Sequence, residues 1–72
     1  MERFILQKSE DPGYWVCTDQ QNGIVCKFEQ GNFNGNQKIT QLEDSTADVT
    51  AIARSLREMA DWLNDNHSDK IF

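Results

Sequence analysis

Between Val49 and Leu63, the apolar residues Val49, Ile52, Leu56, Met59 and Leu63 recur at steps of three, four, three and four. That spacing puts five large side chains on one face of a helix, because an α-helix completes a turn every 3.6 residues. The chain before it alternates with period two and is cut by turn dipeptides. A strand is expected from Arg3 to Lys8, and Asp11-Pro12-Gly13 then joins a fixed φ to a permissive one, which suits a type II turn. A second strand covers Tyr14 to Thr18, and Asn22-Gly23 is a strong hairpin signal ahead of a third strand, Ile24 to Glu29. A loop with a second Asn-Gly pair, Asn34-Gly35, leads to a shorter polar strand from Lys38 to Leu42. The elements read ββββα: an α+β fold, a four-stranded antiparallel β-meander with one C-terminal α-helix packed on one face. Residues 1–67 form a single domain in this reading, and 68–72 a C-terminal tail.

Turn positions set an expected register. A two-residue turn at Asn22-Gly23 places Cys17 opposite Phe28 and Asp19 opposite Cys26; a different loop, with Asp19 facing Ile24, would instead put Cys17 directly opposite Cys26 and make a disulfide conceivable. Turns centred on Pro12-Gly13 and Asn34-Gly35 place Leu6 opposite Asp19 and Gln30 opposite Ile39. Facing residues share a side of the sheet, so Phe4, Leu6, Trp15, Cys17, Ile24, Cys26, Phe28 and Ile39 collect on an inner face for the helix to cover. Arg3, Ile5, Gln7, Tyr14, Val16, Thr18, Val25, Lys27, Glu29, Lys38, Thr40 and Leu42 fall on the outer face. Ser45 and Asp48 have capping-box spacing ahead of the helix, and Asn64 to His67 ends it.

A chain of 72 residues buries only about 60% of the surface its unfolded form exposes, which gives it reason to gain core from a partner or a second copy. No run approaches the ~18 apolar residues of a membrane span, and Glu2 and Arg3 precede only three apolar residues, so a soluble, cytoplasmic protein is expected. Cys17 and Cys26 are too few for a disulfide scaffold and sit beside bulky apolar neighbours, which implies buried, reduced thiols. Together with the single His67 they do not make a metal site. The net charge is −5, and residues 43–72 carry most of it, with seven acids against three bases. Residues 1–42 hold five acids and four bases, so the sheet is nearly neutral.

Catalysis finds little support. The histidine lies in the polar C-terminal stretch, no serine or cysteine has a nucleophile's context, and the four glycines mark turns rather than a phosphate loop. Glu43 and Asp44 read as charges before a helix. No enzyme, cofactor or metal is expected. The outer sheet face is the candidate site: Ile5, Val16 and Val25 lie on three consecutive strands with Tyr14 near them, and one helix cannot cover both faces. Where contiguous, an apolar patch of that kind marks a protein-binding or homodimer surface; the alternative is an ordinary solvated sheet face, on which some apolar side chains are normal. Trp62, more than 100° from the centre of the helical stripe, either seals the helix against the sheet edge or adds to a partner contact. Phe33 either tucks beneath its loop or serves as an exposed anchor.

The alternative function is single-stranded nucleic-acid binding, with Arg3, Lys27 and Lys38 for phosphates and Tyr14 for base stacking. The ββββα order resembles that of the dimeric single-strand DNA-binding transcriptional coactivators of the positive-cofactor type. The likeness lies in element order; it carries no motif, and no residue roles transfer.

Overall fold

The computed structural model describes residues 2–33, 35 and 37–71, the last two of these by their backbone alone. The strands are β1 (Phe4–Lys8), β2 (Tyr14–Asp19), β3 (Ile24–Glu29) and β4 (Lys38–Gln41), followed by α1 (Val49–Asn66) and a single turn, α2 (Ser68–Ile71). They form one antiparallel sheet in the order β1-β2-β3-β4 with α1 against one face, the ββββα meander expected from the sequence. The segment expected as a tail opens with α2.

The register differs from expectation at every hairpin. Cys17 faces Cys26 and Asp19 faces Ile24; Leu6 faces Cys17; Cys26 faces Ile39. At the β2–β3 hairpin the cause is Asp19, whose carboxylate accepts the backbone N–H groups of Gln21 and Asn22 and the side-chain amide of Asn22. Those bonds favour a four-residue connection, Gln20 to Gly23, closed by the Gly23 N–H on the Asp19 carbonyl at 2.8 Å. In the β3–β4 loop, Phe33 folds back edge-on against Phe28, with ring centroids 5.0 Å apart, and lengthens the connection. Every shift is an even number of residues, so each strand keeps its expected inner and outer sides.

The inner face and α1 enclose the core: Phe4, Cys17, Cys26, Phe28, Phe33, Met59 and Leu63, with Leu6, Trp15, Leu56, Ala60 and Trp62 packed around it. The helical stripe needs correction at its start. Ser55, Met59 and Leu63 are the buried line of α1, whereas Val49 is 82% exposed. The helix rests mainly on β2 and β3, so its first turn overhangs the sheet. Ile39 on β4, expected in the core, keeps 37% exposure for the same reason.

Asp48 alone caps α1, accepting the Ala51 N–H at 2.8 Å. Ser45 is not part of a capping box; its hydroxyl donates to the Asn22 carbonyl at 2.7 Å and ties the β4–α1 connection to the β2–β3 turn. Gly23 makes that contact possible. Its φ is +66°, and a Cβ there would meet the Ser45 Cβ at 2.9 Å.

Candidate functional site

The outer sheet face is built in cross-strand rows fixed by the ladder. Ile5, Thr18, Val25 and Thr40 face one another across all four strands, and Gln7, Val16, Lys27 and Lys38 form the next row. Three of the first four residues and two of the second are half-buried. This gives the β-branched side chains a firm, pleated surface with little rotamer freedom left to lose. Tyr14 follows, opposite Glu29.

Charge is graded along this face. Lys27 and Lys38 stand directly opposite each other, an arrangement that like charges disfavour unless an acid relieves it. Lys27 is relieved: its ammonium contacts the Asp11 carboxylate and lies 5.3 Å from the Tyr14 ring centroid. The hydrogen bond and charge of Lys27 hold the Asp11 carboxyl below its usual range. Lys38 is exposed on the edge strand. At the other end, the β4–α1 connection brings Glu43, Asp44 and Asp48 around the β2–β3 turn.

Between that connection and the sheet runs an open groove of about 520 Å³, floored by Ile5 and Thr18 and walled by Asn22, Leu42, Asp44 and Ala47. The groove was not legible in the sequence, because it depends on the path of residues 42–48, which no periodicity reports. It joins the apolar row to the acidic end of the molecule. Leu42, 44% exposed, forms part of its rim.

Arg3 belongs elsewhere. Its guanidinium turns to the helix side, forking onto the buried Asp19 carboxylate at 3.1 and 3.0 Å, contacting Glu58 of α1 and lying over the Phe4 ring. Ser55 donates to the same carboxylate at 2.5 Å. Burial on its own pushes the Asp19 carboxyl up. The hydrogen bonds from Arg3, Ser55 and Asn22, together with the Arg3 charge, outweigh it and hold the group far below the usual carboxylate range. This cluster fastens β1, β2 and α1 together, and the sequence reading missed it. The one available signal was the parity that put an acid, Asp19, on the apolar side of its strand.

Trp62 is likewise separated from the outer face. It packs 5.6 Å from Phe4 and 5.1 Å from His67, centroid to centroid, and seals α1 against edge strand β1. The structure therefore brings Ile5, Tyr14, Val16 and Val25 together with Lys27 and Lys38, and places Arg3 and Trp62 on the opposite side of the sheet.

Among the described residues, no group of three or more His, Cys, Asp or Glu is placed to hold a metal ion, and no helix is long and apolar enough to cross a membrane. No protein-family model matches this chain, and comparisons with curated proteins and with solved structures return no match.

Proposed function

We propose that this protein is a non-catalytic interaction module that docks through the outer face of its sheet, with a second copy of the chain as its occupant. The observation carrying this reading is the row Ile5–Thr18–Val25, a rigid, partly apolar surface on the side of the sheet that α1 leaves open. Charge placement favours self-pairing. A twofold axis along that row, perpendicular to the strands, turns a second copy end for end and keeps β4 over β4. Lys38 of each copy then meets the acidic rim at Asp44 of the other, while the apolar rows pack against each other. A closed, isologous dimer of this kind uses one patch twice. It also supplies the core that so short a chain lacks.

Sedimentation velocity across a concentration series tests the reading. The wild-type coefficient rises with concentration, Val25→Asp abolishes the rise without altering the circular dichroism, and Val49→Asp leaves it intact. A concentration-independent monomer, or loss of association in Val49→Asp alone, would contradict it.

The facing Lys27–Lys38 pair beside Tyr14 favours a second reading, a short single-stranded nucleic-acid platform. With Arg3 engaged by Asp19 and Glu58, and Lys27 by Asp11, this platform has fewer uncommitted cations than the sequence suggested. Titration with labelled oligothymidylate separates the two. Salt-sensitive binding lost in Lys38→Glu supports the platform, and absence of binding beside a concentration-dependent coefficient supports the dimer.

A further inference from the structure

Cys17 and Cys26 face each other across β2 and β3, and both point into the core with no exposure. The type of pair they make follows from the ladder. The Gln30 N–H donates to the Gly13 carbonyl at 2.8 Å, so Gly13 and Gln30 are a hydrogen-bonded pair. Stepping by two residues along each strand makes Trp15–Phe28, Cys17–Cys26 and Asp19–Ile24 pairs of the same type. Such pairs hold their Cα atoms about 5.5 Å apart, inside the range of about 4.4–6.8 Å that a disulfide spans. Cβ atoms of such a pair stand about 5.5 Å apart, wider than the roughly 3.5–4.5 Å of a disulfide, so joining the two sulfurs draws β2 and β3 together locally. In the structure both are free thiols.

Access works against the reaction in the native state. Met59 and Leu63 of α1 lie in the same buried cluster as both sulfurs. Burial pushes the Cys17 thiol up to about 12, with smaller contributions from Cys26 and Asp19, and the Cys26 thiol up to about 11. The attacking species in thiol–disulfide exchange is the thiolate. A folded molecule therefore offers neither a thiolate nor a route to one. The unfolded chain offers both.

We propose that Cys17 and Cys26 are a latent intramolecular disulfide site, filled by exchange with a low-molecular-weight disulfide while the chain is unfolded and sealed by α1 once it folds. One cysteine thiolate attacks a sulfur of the small disulfide RSSR and expels RS⁻, leaving a mixed disulfide. The second cysteine thiolate then attacks the protein sulfur of that mixed disulfide and expels the second RS⁻. The protein gives up two electrons and two protons, RSSR becomes two RSH, and one S–S bond replaces two S–H bonds. Folding favours the second step by setting the two strands in the register that brings the sulfurs together. The resulting bond ties the two central strands, directly beneath Val16, Thr18 and Val25 of the outer face. It closes a short loop, which restricts the unfolded chain.

The experiment compares two incubations of the full chain in a glutathione disulfide/glutathione buffer: native protein, and protein refolding from denaturant. Acid quenching, alkylation, intact mass and peptide mapping follow. The refolded sample is expected to be two hydrogens lighter, carry no glutathione, and yield a peptide crosslinked between Cys17 and Cys26. Its melting temperature should rise on the order of 10 °C. The native sample should stay reduced for as long as it stays folded. Cys17→Ser, refolded the same way, should fold with Cys26 reduced, because a glutathione on that fully buried sulfur has no room in the core, and should show neither the loss of two hydrogens nor the rise in melting temperature. Refolded wild type with two free thiols, with retained glutathione, or with intermolecular crosslinks would overturn the proposal, as would native oxidation as fast as that of the unfolded chain.

Discussion

Asp19 is the residue on which the most structure converges. It is fully buried, yet Arg3, Ser55, Asn22 and two backbone N–H groups satisfy it. Asp19→Ala leaves Arg3 with Glu58 but strips the Ser55 hydroxyl and the Gln21 and Asn22 N–H groups of their acceptor, and should cost about 1–3 kcal/mol or more by denaturant unfolding. The pH dependence has a definite sign. The folded carboxyl titrates below its ordinary value near 3.8, so the unfolded chain binds the proton first as pH falls. The stabilisation is therefore complete above about pH 5 and drains away as pH drops through about 4 and lower. In Asp19→Asn, urea unfolding should show a lower plateau at neutral pH and a shallower loss of stability between pH 5 and 2 than wild type. Equal slopes in the two proteins would mean that Asp19 is not the titrating group. An acid on the apolar side of a strand was visible in the sequence; its partners were not, because Arg3 and Ser55 are distant in the chain.

At the scale of elements, local chemistry predicted which segments become strands and helix, and the Asn22-Gly23 and Pro12-Gly13 dipeptides fixed where the chain reverses. Local chemistry did not fix loop length. Asp19 and Phe33 each drew their loops into longer connections through contacts that no dipeptide encodes, and the register moved by two or four residues without changing faces. The helix teaches the complementary lesson. Its period located the apolar stripe, but the overhang of its first turn depends on where α1 crosses the sheet. Substitutions distinguish the two ends. Met59→Asp buries a charge against Phe28 and the cysteines and should abolish cooperative thermal melting, whereas Val49→Asp should change stability by no more than about 0.5 kcal/mol. Gly23→Ala meets both an unfavourable φ and the Ser45 side chain, and should destabilise by more than the roughly 1 kcal/mol typical of a lost glycine conformation. Pairing it with Ser45→Gly should recover part of that loss, a coupling that a double-mutant cycle measures directly.

For the whole molecule, the two sides of the sheet divide the work. The inner side, with α1 and the Arg3–Asp19–Ser55–Glu58 cluster, holds the fold together. The outer side carries a β-branched row, two facing lysines and an acidic groove rim, none of them used by the core. That division was legible from strand parity alone, since an even register shift preserves it. The groove and the charge gradient were not, because they arise from the turn of residues 42–48 around the end of the sheet. The central claim is that this face pairs with itself, Lys38 against Asp44. The most direct measurement is the dimer dissociation constant of four proteins by sedimentation equilibrium: wild type, Lys38→Glu, Asp44→Lys, and the two substitutions together. Each single change should weaken association about tenfold or more, because it sets like charges opposite each other at two symmetry-related places. The double change, which reverses both signs, should restore association to near the wild-type value. Additive weakening in the double variant, or four identical constants, would contradict the account.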